Sequence, residues 1–221
     1  MSARESEGAG IARFGMWVFL VTDALSFGAL LTADATLRAR AESWPPVGTN
    51  LPLAAVAAVA LFASSLTLMR GRVGATLALG AAFLGAQIYE WVMLLRHGGA
   101  HGLPAAIFFV TTGWHGLHVV AGLVVLALFR RHPAAALFWQ FVDAVWVVLF
   151  TAFYLAPAVP TAAAVALGLA AAAGFAAIVF FPMNLRGEPR AVKVVFVLPL
   201  VLPIVFTVAL VADAATRGIR P

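Results

Sequence analysis

Seven stretches of this chain are apolar enough, and long enough, to cross roughly 30 Å of hydrocarbon. They lie near residues 14–33, 51–69, 73–95, 104–129, 135–155, 158–181 and 192–212, and little chain is left over for a soluble domain. Hydrophobic residues make up 63% of the sequence and charged residues 10%, with mean hydropathy +1.01. That is far from the balance of a water-soluble domain. The expected fold class is an all-α integral membrane protein with seven transmembrane helices and short loops.

The formal net charge of +5 does not point to nucleic acid, because the basic residues form no patch with interleaved aromatics. They alternate between loops. One side of the membrane receives Arg4, Arg13, Arg70, Arg72, Arg130, Arg131, Arg186, Arg190 and Lys193, and the other Arg38, Arg40, Arg96, Arg217 and Arg220. By the positive-inside bias this puts the N-terminus in the cytoplasm and the C-terminus outside. The first stretch carries the embedded Asp23 and has no clear short apolar core, so it reads as a span rather than a signal peptide. Cysteine is absent, which excludes disulfides, thiolate metal sites and c-type haem attachment by this chain.

Function must be read from the few polar groups within the apolar stretches, because such groups are costly at that depth and face protein rather than lipid. They are Asp23, Glu90, Asp143 and its neighbour Gln140, and the two histidines of the run Gly113-Trp-His-Gly-Leu-His118. Histidines three apart share a helix face. Helix rise sets Asp23 roughly 13 Å, Asp143 roughly 12 Å and His118 roughly 16 Å from the cytoplasmic ends of their spans, with His115 roughly 21 Å and Glu90 roughly 25 Å in. Two layers result: an inner one with Asp23, His118, Gln140 and Asp143, and an outer one with His115 and Glu90. Each layer offers an acid for an imidazole, which offsets much of the desolvation cost.

Three uses of these layers are compatible with the residues. Metal ligation would need more donors near His115 and His118, for which Glu90 and Asp23 are the only candidates; the two histidines, one turn apart, cannot be opposite axial ligands of one haem, and His97, His101 and His132 lie in loops. A proton or ion path would need groups linking the layers. Hydrogen-bonded glue between helices needs only the pairs themselves, and it is the reading for Glu90, His115 and Asp143. Asp23, short, deep and alone in its stretch, is the candidate for something more. From Pro157 onward neither span has an ionisable residue past Lys193 at the edge of the last one, and a Pro-Ala-Val-Pro joint (157–160) sets off a last hairpin as an appended module.

The ordered motifs resemble subunit III of the haem-copper oxidases, the cytochrome c oxidase group, across nearly all of residues 10–155. Arg13-Phe-Gly-Met-Trp17 through Asp23 and Phe27 is similar to the first helix of the five-helix form, where glutamate usually stands at Asp23. Trp44-Pro-Pro-Val-Gly48 resembles the family's Trp-Pro-Pro loop, and Gln87-Ile-Tyr-Glu90-Trp91 its next marker. Phe108-Phe-Val-Thr-Thr-Gly-Trp114-His-Gly-Leu-His118-Val-Val-Ala-Gly122 matches almost residue for residue. Phe138-Trp139-Gln-Phe-Val-Asp143-Ala-Val-Trp146 is similar to a Trp-His-Phe-Val-Asp box, with Gln140 in the histidine position. The turn Phe181-Pro-Met-Asn-Leu-Arg-Gly-Glu-Pro-Arg190 resembles the Phe-Met-His-Leu turn of the small bacterial subunit IV. The implied organisation is a five-helix bundle over 1–156 fused to a two-helix hairpin over 157–221.

The resemblance implies an accessory subunit with no cofactor or metal of its own, in a bacterial inner membrane. Haems and copper would sit on the partner, catalytic subunit I, with subunit II alongside. It also implies bound phospholipid, support of proton uptake and lasting activity in aerobic respiration. The shorter Asp23 asks for a water in a family hydrogen bond, and Gln140 cannot titrate near neutral pH. Gly15, Gly28, Gly80, Gly85, Gly113, Gly116 and Gly122 suit close helix packing. A partner of a nitric oxide reductase shares the His and Trp-x-x-Val-Asp patterns, but the Trp-Pro-Pro loop and the tail argue against it. A stand-alone transporter or proton channel would show an inverted repeat or interrupted helices, and neither is present in the sequence. Because the electron donor and haem types depend on other chains, the sequence leaves them open. Asp23 and His118 are expected to hydrogen-bond directly or through one water.

Overall fold

The computed structural model describes residues 3–41, 47–97, 101–130 and 132–158, with 168–170 and 172–173. Helices joined by short turns and loops make up these residues, without a strand among them. The helices are α1 (Ala3–Arg40), α2 (Leu51–Met69), α3 (Val73–Arg96), α4 (Gly102–Leu128) and α5 (Pro133–Phe150). A π-helical turn, Thr151–Leu155, and a last helical turn, Ala156–Ala158, continue α5. Five helices among the described residues are long and apolar enough to cross a membrane: Phe14–Arg40, Leu51–Met69, Val73–Arg96, Gly102–Leu128 and Pro133–Leu155. The protein is a multi-pass membrane protein. Apart from 158, 168–170 and 172–173, the two expected C-terminal spans lie outside the described residues, as does Trp44 with its two prolines.

The α2 bounds are those expected, and α3, α4 and α5 differ from expectation at their ends by a few residues. The first span is different, because α1 does not stop near 33. Asp34 and Arg38, one turn apart, pair at 3.1 Å and neutralise each other, and no Gly or Pro intervenes before Pro45. The helix therefore runs on to Arg40, and the span of 27 residues is longer than the roughly 20 that a bilayer core needs.

Local chemistry sets the joints. Gly71 takes φ +69°, a left-handed conformation open to glycine without strain. Its N–H donates to the Leu68 carbonyl at 2.9 Å, and this tight turn folds α2 back on α3. Pro133 stands at the first position of α5, where its missing N–H loses no helical bond, and a His132 ring nitrogen accepts from the Ala134 N–H at 3.3 Å.

Helix α5 is the hub. It packs against α1, α2 and α4, while α3 bridges α2 and α4 and α1 also touches α4. The axis of this arrangement is Trp139, fully buried and held between two glycines on different helices. A Cβ at Gly80 of α3 would lie 2.5 Å from the indole Cη2, and one at Gly122 of α4 would lie 2.8 Å from Cε3. Such small-residue contacts let helix backbones approach closely where lipid supplies no hydrophobic drive. The other glycines differ: Gly15, Gly85 and Gly116 have nothing within 4 Å of the built Cβ, and Gly113 has an ordinary contact with Trp91. Within the bundle, Gly80 and Gly122 are the glycines seated against Trp139, while Gly15, Gly85 and Gly116 have open space beside them.

Candidate functional site

The polar side chains within the bundle form three separate cross-helix clasps. The first joins α1 to α4. Asp23 and His118 are nearly buried, at 9% and 8% exposure, and Asp23 Oδ2 lies 3.0 Å from His118 Nε2. The contact has ion-pair length without the alignment of a full hydrogen bond to Oδ2. The other ring nitrogen fixes the protonation pattern. His118 Nδ1 is 2.7 Å from the Trp114 carbonyl oxygen, which can only accept, so Nδ1 carries a hydrogen. Attraction across the Nε2–Oδ2 contact then requires a proton between them, as imidazolium with carboxylate or imidazole with carboxylic acid. Ser26 reinforces the clasp by donating to the Asp23 carbonyl at 2.7 Å while accepting from the Trp114 indole N–H at 3.2 Å. Phe27 covers the His118 ring edge-on, with centroids 5.2 Å apart.

The second clasp joins α2 to α5. The Ser65 hydroxyl donates to Asp143 Oδ2, and both side chains are fully buried. One residue back on α2, Ser64 Oγ accepts from the Trp139 indole N–H at 2.9 Å and donates to the Leu61 carbonyl at 2.6 Å. Thr67 and Thr76 meet at 2.8 Å, extending the seam from α2 to α3. Gln140 is fully buried beside it on α5.

The third clasp gathers α2, α3 and the π turn around Glu90. Its Oε1 accepts the Asn50 backbone N–H at 2.8 Å, one of the orphan donors at the N-terminus of α2. That helix end favours a negative charge. Its Oε2 accepts from the Tyr154 hydroxyl at 2.5 Å and from Gln87 Nε2 at 3.4 Å. The carboxylate is only 4% exposed, yet it borders a cleft of about 270 Å³ that Asn50, Tyr89, Met93 and His97 also line.

The expected layers are therefore rearranged. Asp23 and His118 do meet. Asp143 turns to a serine rather than an imidazole, and Glu90 takes backbone, amide and phenol donors rather than His115. The His115 ring stacks on Trp146, with centroids 5.2 Å and planes 24° apart, and meets Phe83 edge-on at 5.8 Å. Neither of its nitrogens has a partner among the described residues. Aromatic shape, not charge, holds this histidine. Asp34, buried at 4%, joins Asp23 as a second acid in the first span. Of the motif tryptophans, Trp17, Trp139 and Trp146 are buried and Trp114 is 40% exposed.

Sequence reading missed Ser65, Tyr154 and Asn50 as partners. Faint signals existed: Tyr154 is one of two tyrosines in the chain, and Ser64-Ser65 is a polar pair inside an apolar run. No group of three or more His, Cys, Asp or Glu side chains suited to a metal ion occurs among the described residues.

No family model matches the chain, but curated proteins do. It is 34% identical to a cytochrome c oxidase subunit 3 of Thermostichus vulcanus, over 64% of this chain and 85% of that protein. It is 37% identical to the cytochrome c oxidase subunit 3 of a Synechocystis species, over 64% of this chain and 74% of that protein. A cytochrome bo(3) ubiquinol oxidase subunit 3 of Pseudomonas aeruginosa is 31% identical over 67% of this chain and 87% of its own length. The relatives are subunits of oxidases named for two different electron donors, and each is spanned over most of its length. The apolar helices, the ordered motifs and these likenesses agree: the chain belongs to the subunit III family of the haem-copper oxidases.

Proposed function

We propose that this protein is an accessory, cofactor-free subunit of a haem-copper terminal oxidase, seated in a bacterial inner membrane beside a catalytic subunit I and a subunit II. One observation carries the reading of its role: Asp23, Glu90 and Asp143 each bond to a different helix or to a chain segment far along the sequence. These bonds fix a helical scaffold. Such a scaffold shields the lipid-facing side of a partner, restrains its motions and supports proton uptake and durability during oxygen reduction. Phospholipid fits the apolar outer surface.

The organisation we propose is a five-helix bundle over 1–156 and a subunit IV-like hairpin over 157–221, seven spans in all, with the N-terminus cytoplasmic and the C-terminus outside. Gly168 supports the hairpin's close seating on the bundle, since a Cβ there would lie 2.5 Å from Thr151 Oγ1 at the end of α5.

The Asp23–His118 clasp supplies the test. Asp23→Ala removes the partner of His118 Nε2, at a cost on the order of 1–3 kcal/mol for the unsatisfied group, and frees α1 from α4. The oxidase carrying this variant should keep its haem spectrum, lose the subunit more readily in detergent, and inactivate faster during continuous turnover. A variant complex as firmly assembled and as durable as wild type would refute the role.

A further inference from the structure

We infer that the core of the bundle holds a bound-water site formed by Asp143 and Trp146 of α5 and His115 of α4, which joins the acid to the imidazole. All three side chains are at most 1% exposed. Each has hydrogen-bonding capacity that the protein's own described atoms leave unmet: Asp143 Oδ1, Trp146 Nε1 and both His115 nitrogens. Most buried polar atoms have a partner, so four such atoms on three neighbouring side chains call for a common explanation.

The geometry brings them together. His115 stacks on Trp146, so the two rings lie one over the other in nearly parallel planes, with their unmet nitrogens within one small region of the core. Asp143 precedes Trp146 by one helical turn, on an adjoining part of the same face. Its Oδ2 is already taken by Ser65, which fixes the carboxyl group and leaves Oδ1 on the other side. Phe83 meets Trp146 at 4.7 Å and His115 at 5.8 Å, both edge-on, and Phe27 meets His115 at 6.4 Å. These rings wall the site from lipid.

The chemistry is complementary. The indole N–H only donates, a carboxylate oxygen only accepts, and a neutral imidazole does one of each. A water can take the indole hydrogen, give one hydrogen to Asp143 Oδ1 and use its remaining capacity on His115. This meets the requirement of two to four polar partners for a buried water. The indole cannot serve as a metal ligand through a protonated nitrogen, which favours water over a cation. Asp143 and His115, unpaired directly, thereby become a single proton-sharing couple in the middle of the bundle. The site stands apart from the Asp23–His118 clasp and does not depend on the oxidase assignment.

An electron-density map of the intact natively purified complex, at a resolution where ordered waters are visible, tests this. The expected result is solvent density at roughly 2.7–3.2 Å from Asp143 Oδ1 and from Trp146 Nε1 or a His115 nitrogen. The same map for Trp146→Phe should show that density lost or displaced, with Ser65 still on Asp143. Three results would overturn the inference: direct pairing of His115 with Asp143, a dry site where waters at equal depth are resolved, or density unmoved by Trp146→Phe.

Discussion

Replacing Trp139 by alanine is expected to cost about 3–5 kcal/mol, the range for deleting a large buried aromatic, and to be the most damaging single truncation in the bundle. The indole fills the space between Gly80 and Gly122 and its N–H is anchored on Ser64, so its loss opens a cavity and takes away the donor to the Ser64 oxygen, which keeps its own bond to the Leu61 carbonyl. The reciprocal change has the opposite steric sense. Gly80→Ala drives a methyl group against the Trp139 ring and Leu123, an overpacking worth about 1–3 kcal/mol. Because both substitutions act on one contact, they should not add: Gly80→Ala should cost less in the Trp139→Ala background than in wild type. Unfolding of the purified chain in mixed micelles measures the four free energies. Full additivity, or a Trp139→Ala cost below about 1 kcal/mol, would contradict the packing described.

Glu90→Ala is expected to rank next. It strips the acceptor from the Asn50 N–H, the Tyr154 hydroxyl and the Gln87 amide at once. Unsatisfied buried donors cost about 1–3 kcal/mol each, but the adjoining cleft lets water replace part of the loss. The expected destabilisation is therefore on the order of 3 kcal/mol rather than the full sum. Glu90→Gln keeps one oxygen acceptor, and the Tyr154 hydroxyl can reverse to accept from the new amide, so this variant should lose about 1 kcal/mol. Micelle unfolding again provides the comparison. Equal losses for the alanine and glutamine variants would mean that the carboxylate's acceptor role is not what matters.

The sequence made the spans and the clasp legible for different reasons. Length and hydropathy alone delimited Leu51–Met69, because polar Asn50 and Arg70 bracket it. Asp23 and His118 were legible as a pair because helix rise converts sequence position into depth, and two groups at one depth can meet. Depth says nothing about azimuth, however. In a soluble helix the apolar face marks the inward direction; in a membrane helix every face is apolar, so hydropathy does not show which way Glu90, Asp143 or His115 points. That is why depth alone set Asp143 in one layer with His118 and Gln140 when Ser65 of α2 holds it, and Glu90 with His115 when Tyr154 does. The π turn carries Phe153 and Tyr154 into the core, yet its Thr-Ala-Phe-Tyr-Leu sequence reads as uninterrupted helix. The extension of α1 was hidden because Asp34 and Arg38 look like a span's end when counted singly, and like part of it only once paired.

Purifying the chain from its native membrane, at native expression and in mild detergent, tests the central claim most directly. The account predicts that it elutes in a stable assembly with a haem-bearing multi-helix subunit, the haem absorbance following this chain across the peak in constant ratio. Recovery of the chain as a monomer, with no haem spectrum travelling with it, would contradict the account.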